Sequence, residues 1–210
     1  MRLLDPLAGE LRWAKIGLQL FVAEGPRVVA AAAGLGLKIF LDLKFHDIPN
    51  TAKEAVRSAR LPGVGMTTIH LAGGPAMVGT AVEAAGADLL VLGVTVLTSM
   101  DASQLAAVGV SSAPADQVVA LARMGVANGL RGVVASPLEI RALREACGND
   151  LVIVTPGIRP AGSAAGDQSR IATPASAVRD GANYLVIGRP ISGDPDPRGA
   201  FLRICDEIAL

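Results

Sequence analysis

Seven short β-rich runs alternate with Ala- and Leu-rich stretches along the whole chain, and this alternation limits the fold more than any other feature. The runs are "WAKIGLQLF", "KIFLDLK", "MTTIHLAG", "LLVLGVTVLTS", "GVVAS", "LVIVTPGI" and "YLVIGRP". Between them, segments such as "NTAKEAVRSAR", "GPAMVGTAVEAAG" and "SAPADQVVALARMGVANG" carry helical spacing. Helix starts are signalled by Asn50 and Thr51, by Ser112 before Pro114, and by Thr173 before Pro174. Gly86, Gly129, Gly148 and Gly181 mark helix ends. Strands that alternate with helices predict crossover connections and a parallel sheet covered by helices. The runs are apolar almost throughout, as strands buried on both faces must be. The expected architecture is therefore a TIM-type (β/α)8 barrel forming one domain over residues 1–210. An open doubly wound sheet is the second choice, disfavoured because no Gly-rich dinucleotide fingerprint follows any run. One strand is wanting. The opening "MRLLDPLAGEL" reads as a helix leading into Trp13, so the first strand of a complete barrel is apparently absent from this chain.

Composition removes several classes of function. Nineteen basic and nineteen acidic residues cancel, so no basic field draws a polyanion. Aromatic residues make up 3% of the chain, too few for stacking on single-stranded nucleic acid. No uncharged apolar run approaches the ~18 residues of a membrane span. The N-terminus, with an acid at position 5, does not resemble a signal peptide. Cys147 and Cys205 fall in helical segments and read as reduced packing residues. A cytoplasmic protein with neither nucleic-acid nor membrane partners is expected.

The second run places charge where its pattern asks for hydrocarbon. In "IFLDLKFHDIPNT", residues 39–51, Asp42 and Lys44 interrupt the apolar series, and Asp47 follows. Residues two apart in a strand share a face, so Asp42 and Lys44 point to one side, which in a barrel is the interior near the C-terminal rim. Lys15 in "WAKIG" holds a similar place in the preceding strand, and Asp47 just past the strand end can be aimed at the same mouth. Two amines and two carboxylates then converge in a neutral cluster, each costly alone in low dielectric and tolerable when interleaved. A purely structural ion pair is the plainer alternative. Buried pairs stabilise poorly compared with packed hydrocarbon, which favours a functional reason for keeping four charges.

These residues resemble the signature of the orotidine 5'-monophosphate decarboxylases. The Asp-x-Lys-x-x-Asp core is shared with related sugar-phosphate enzymes. The continuation "DIPNT", then "VTVLTSM" at 94–100, "TPGIRP" at 155–160, "GDQ" at 166–168 and "VIGRP" at 186–190 narrow the match to the orotidine enzymes. The resemblance implies that Asp42 faces the substrate carboxylate and that Lys44 delivers a proton to the carbon that loses carbon dioxide, with Lys15 and Asp47 completing the array. It implies a homodimer in which Asp47 and Thr51 reach the neighbouring site and meet the ribose. Thr98 and Ser99 match the segment that meets the pyrimidine; without the resemblance they read equally well as hydroxyls at a strand end. Gly188 and Arg189 would anchor the phosphate, and Arg159 and Gln168 would lie near it on a lid formed by "RPAGSAAGDQSR". No metal, flavin or pyridoxal cofactor is implied.

The chain departs from that pattern at its start. Members of the family open with a strand bearing a ribose-binding Asp, then a helix, then the Lys-bearing strand; Asp5 lies ten positions before Lys15 and does not substitute for that acid. Two other readings stay open: a metal-assisted decarboxylase or aldolase acting on a phosphorylated keto-sugar, and a truncated chain that binds nucleotide phosphates without turning them over. His46 and His70, the only histidines, lack neighbours at metal-ligand spacing and receive no role beyond packing or loop structure.

Overall fold

The computed structural model describes residues 3–7, 9–160 and 171–209. Its seven strands are β1 (Trp13–Gly17), β2 (Lys38–Phe45), β3 (Val64–His70), β4 (Leu90–Val94), β5 (Gly132–Val134), β6 (Val152–Thr155) and β7 (Tyr184–Leu185). They form one sheet in chain order, every neighbouring pair parallel. Helices occupy the connections, so the TIM-type expectation holds, with seven strands among the described residues.

Side-chain alternation separates an inner from an outer surface. Phe40, Met66, Leu92 and Val154, from four different strands, pack together on the inner side. Ile39 and Leu41, both fully buried, point outward against Val29 and Ala32 of the helix Pro26–Ala33. Ile69, Val133 and Ile153 do the same against Met77, Val118 and Leu143 of the later helices. Each such side chain removed from water stabilises the fold by about 1.5–3 kcal/mol, and the outer layer holds most of them.

The curl stops at β1 and β7, the two edges of the sheet. Across this seam Trp13 meets Tyr184 edge-on, with ring centroids 5.7 Å apart. The Trp13 indole lies against Gly65, where an added Cβ would come within 2.8 Å of the ring, and beneath the Lys38 ammonium. An apolar cavity of about 510 Å³ opens beside them, roofed by Phe201, Ile204 and Ile208 of the C-terminal helix Pro197–Ala209.

Several boundaries differ from the sequence reading. The first segment, expected as a helix, forms among its described residues only a 3-10 turn, Asp5–Leu7. The first β-rich run ends at Gly17, and "LQLF" belongs to the helix Leu18–Glu24. Its alternation is strand-like, but Leu18 and Leu20 are exposed and only Phe21 packs on the core, a pattern that periodicity cannot assign in so short a run. Past β4 and β7 the Thr95 amide still donates to the Val134 carbonyl and the Val186 amide to the Thr155 carbonyl. Beyond these the runs leave the sheet, Val96, Pro156 and Gly188 line its mouth, and Arg189 opens the short helix Arg189–Ser192. Thr173 caps its helix by accepting from the Ser176 amide, as expected. Asn50 and Thr51 instead sit inside a first turn that begins at Pro49, and Ala113 rather than Ser112 precedes the helix at Pro114. Cys147 and Cys205 are free thiols in helices, and burial pushes both thiols up.

Candidate active site

Lys15 of β1 and Asp42 and Lys44 near the C-terminal end of β2 bring three charged groups together. Lys44 Nζ donates to Asp42 Oδ1 at 2.8 Å, and Lys15 Nζ lies 3.3 Å from Asp42 Oδ2. Asp42 is 8% exposed, so its carboxylate is held between two amines in a largely dehydrated setting. Burial alone would raise its pKa. The hydrogen bond and charge of Lys44, the charge of Lys15 and the Thr68 hydroxyl outweigh that and hold the group below its ordinary value.

The geometry is not that of a plain strand. The β2–β3 register passes from Leu41↔Thr67 to Phe45↔Ile69, so that three residues of β2 face Thr68 alone. Within this bulge Lys44 adopts φ 51°, the one positive φ of a non-glycine residue among those described. Such a backbone costs about 1–3 kcal/mol and persists where surrounding contacts over-determine it. Here the Lys44 amide donates to Thr68 Oγ1 at 2.8 Å, which ties the turn to β3. On the other side, Gly17 pairs with Asp42, and a Cβ there would come within 3.2 Å of the Lys15 ammonium. Glycine leaves the room that the amine occupies.

These groups open into a cavity of about 300 Å³. Its described lining includes Lys15, Lys44, Arg159 and Arg189 as cations and Asp42 as the one anion. Arg159, only 8% exposed, donates through Nη1 to the Ile158 carbonyl, and its backbone amide is tied to Ala172. Thr98 and Gly188 also line the cavity. An anionic ligand with charge at both ends suits this arrangement.

Other expected residues stand elsewhere. Asp47 is exposed, accepts from the Ile48 amide at 2.7 Å and does not line the cavity of its own chain. The expectation of four charges converging within one chain is therefore corrected to three, because the turn after Phe45 carries Asp47 outward. Thr51 is exposed on the first turn of the helix Pro49–Ser58, and Ser99 is exposed beside Thr98 without lining the cavity. Gln168, with Gly166 and Asp167, lies outside the described residues. His46 and His70 stack with ring centroids 5.4 Å apart. Sequence reasoning missed Gly17 and Thr68. The parity of Thr68 with Met66 in "MTTIH" was the available signal, since it puts a hydroxyl on the inner face.

Comparison with known proteins settles the family. The profile of the orotidine 5'-phosphate decarboxylase / HUMPS family matches residues 1–204. The chain belongs to that family. Proteins named orotidine 5'-phosphate decarboxylase are 54% identical in Anaeromyxobacter strain K, over 92% of this chain and 86% of the relative, and 54% identical in Opitutus terrae, over 98% and 90%. The crystal structure of orotidine 5'-phosphate decarboxylase from Lactobacillus acidophilus superposes with a TM-score of 0.82 at 37% identity, covering 93% of this chain and 86% of that one. An uncharacterized conserved protein from Geobacillus kaustophilus gives a TM-score of 0.86 at 33% identity, covering 99% and 93%. The resemblance carried by "DLKFHDIPNT" and the later motifs is thus borne out, and with it the assignment to an enzyme family of decarboxylases. No helix among the described residues is long and apolar enough to cross a membrane.

Proposed function

We propose that this chain decarboxylates orotidine 5'-monophosphate to UMP and carbon dioxide, without a cofactor, in pyrimidine biosynthesis. The observation that carries the reading is the Lys15–Asp42–Lys44 cluster at one wall of a cavity whose lining also holds Arg159 and Arg189. A nucleotide that bears a carboxylate and a phosphate fits one acid among four cations.

In this reading the substrate carboxylate lies beside Asp42. Two like charges ~4 Å apart at an effective dielectric of 20 repel by about 4 kcal/mol, and the repulsion disappears as neutral carbon dioxide departs. Full relief corresponds to roughly a thousandfold in rate. The C6–carboxyl bond breaks, its electron pair stays on C6, and the Lys44 ammonium stabilises that charge and then protonates it. Lys44 is left as an amine and regains its proton from water. Lys15 keeps Asp42 ionised throughout. Arg189, with Gly188, Arg159 and Gln168, holds the phosphate, and Thr98 and Ser99 meet the pyrimidine.

The site is completed by a second subunit. Asp47 and Thr51 are exposed on either side of Ile48, itself 69% exposed, so all three are accessible to a second subunit. In the homodimer these residues reach the partner's ribose site. The competing metal-assisted chemistry asks for an acid-rich donor set, and the described residues bring together no group of three His, Cys, Asp or Glu side chains.

Turnover of orotidine monophosphate, followed by UMP formation and carbon dioxide release before and after chelation, tests the reaction. Turnover that survives chelation supports the reading, UMP binding without turnover would reduce the chain to a binder, and loss on chelation would move it to the metal-assisted class. Mixing inactive Lys44→Ala and Asp47→Ala subunits tests the shared site, because the mixed dimer keeps one intact constellation. No recovery in a mixture shown to exchange subunits would remove the partner's role.

A further inference from the structure

We infer that Thr68 is a positioning residue for the candidate active site, setting both the orientation of the Asp42 carboxylate and the backbone turn that presents the Lys44 amine. Its hydroxyl donates to Asp42 Oδ1 at 3.0 Å and accepts from the Lys44 amide at 2.8 Å. Asp42 Oδ1 is the same oxygen that receives the Lys44 ammonium. One buried hydroxyl therefore indexes the acid, the backbone of the base-bearing residue and, through the shared oxygen, the ammonium itself.

The β2–β3 ladder shows why a side chain is needed there. Between Leu41 and Phe45 the register slips, and the Lys44 amide finds the Thr68 hydroxyl where a regular ladder would offer a backbone carbonyl. The positive φ of Lys44 is thereby held from the neighbouring strand. Thr68 is fully buried, so no water replaces its oxygen when the hydroxyl is removed. The Thr67 hydroxyl next to it points to the Leu41 carbonyl, touches neither charged group and serves as the internal contrast.

Thr68→Val keeps shape and removes both hydrogen bonds; Thr68→Ser keeps the hydroxyl and removes only a methyl. The kinetic arm rests on the decarboxylase reading, so a second readout, the Asp42 carboxyl titration followed by carbon-13 NMR, is taken on the same samples. In Thr68→Val, kcat for orotidine monophosphate is expected to fall roughly 10- to 100-fold with KM within about threefold, and the Asp42 titration to move up. Thr68→Ser is expected to recover both, and Thr67→Val to move neither. If the valine variant does not fold, Thr68→Ala carries the same expectations. Parental kcat together with an unchanged Asp42 titration would overturn the inference, as would a loss that serine does not recover. If the parent itself proves inactive on orotidine monophosphate, the function reading fails, while the titration still decides for or against Thr68.

Discussion

The rim at β2 and β3 and the seam between β1 and β7 are built from the same kind of strand, yet they differ in how fully each position is fixed. At the rim, Asp42 is held by the Thr68 hydroxyl, the Lys44 ammonium and the Lys15 ammonium, and the bulge carrying Lys44 is tied to β3. At the seam, β7 contributes two residues to the ladder, Trp13 and Tyr184 touch only through ring edges, and the larger cavity lies beside them. The apolar seam volume exceeds that of the charged site, so size alone would point to the wrong place. Convergent charge, not volume, marks the chemistry. Lys15 belongs to both regions, since its ammonium joins the rim cluster while its strand is an edge.

The sharpest way to break this contrast is at the rim. Lys44→Ala is expected to lower kcat for orotidine monophosphate by roughly 10⁴-fold, the upper range for a positioned acid, while UMP binding stays measurable by titration calorimetry. Turnover within tenfold of the parent would remove the special status of the rim. Packing changes then compare the closed interior with the seam. Leu92 is fully buried among the inner side chains, and Leu92→Ala should cost about 2–5 kcal/mol in urea unfolding. Trp13, half-buried at the edge, should cost less on truncation, about 1–2 kcal/mol, even though it is the larger side chain. Equal costs would mean that the seam is as tightly packed as the core. Among the other cations lining the cavity, Arg189→Ala should raise KM roughly 10- to 100-fold through loss of a charge-assisted contact with the phosphate, with a smaller effect on kcat. An unchanged KM would place the phosphate elsewhere.

The same contrast explains what could be read from sequence. The strand order was legible because each β-rich run is apolar on both faces, and Ile39 and Leu41 pack outward while Phe40 packs inward as alternation demands. Asp42, Lys44 and Lys15 were legible because charge inside such runs has no cheap structural reason. What failed to show was local geometry. No spacing rule anticipates a bulge, so the positive φ of Lys44 and the hydroxyl that supports it were invisible until β3 stood beside β2. The outward turn of Asp47 follows from the same bulge and from Pro49, which starts the next helix. "LQLF" misled because Leu18 and Leu20 are exposed while Phe21 packs on the core, so burial does not follow a regular period in so short a stretch.

The smallest expected effect concerns the back of the rim, where His70 stands beside the cluster. Burial lowers its pKa from 6.5, the charges of His46 and Lys44 lower it further, and Asp42 opposes them. A histidine whose folded pKa lies below its unfolded value binds more protons when unfolded, so stability falls as pH drops through 6.5 toward the folded value and is unaffected above it. Asp42 acts in the same direction in a separate window, because its depressed pKa means that its contribution is lost only below 3.8. Urea midpoints from pH 8 to pH 5 should therefore decline with a slope of at most about one proton from this group, and His70→Gln should flatten that segment while leaving the decline below pH 4 intact. A slope unchanged in His70→Gln would show that the rim tolerates a third cation, which the two amines already crowded against a single carboxylate argue against.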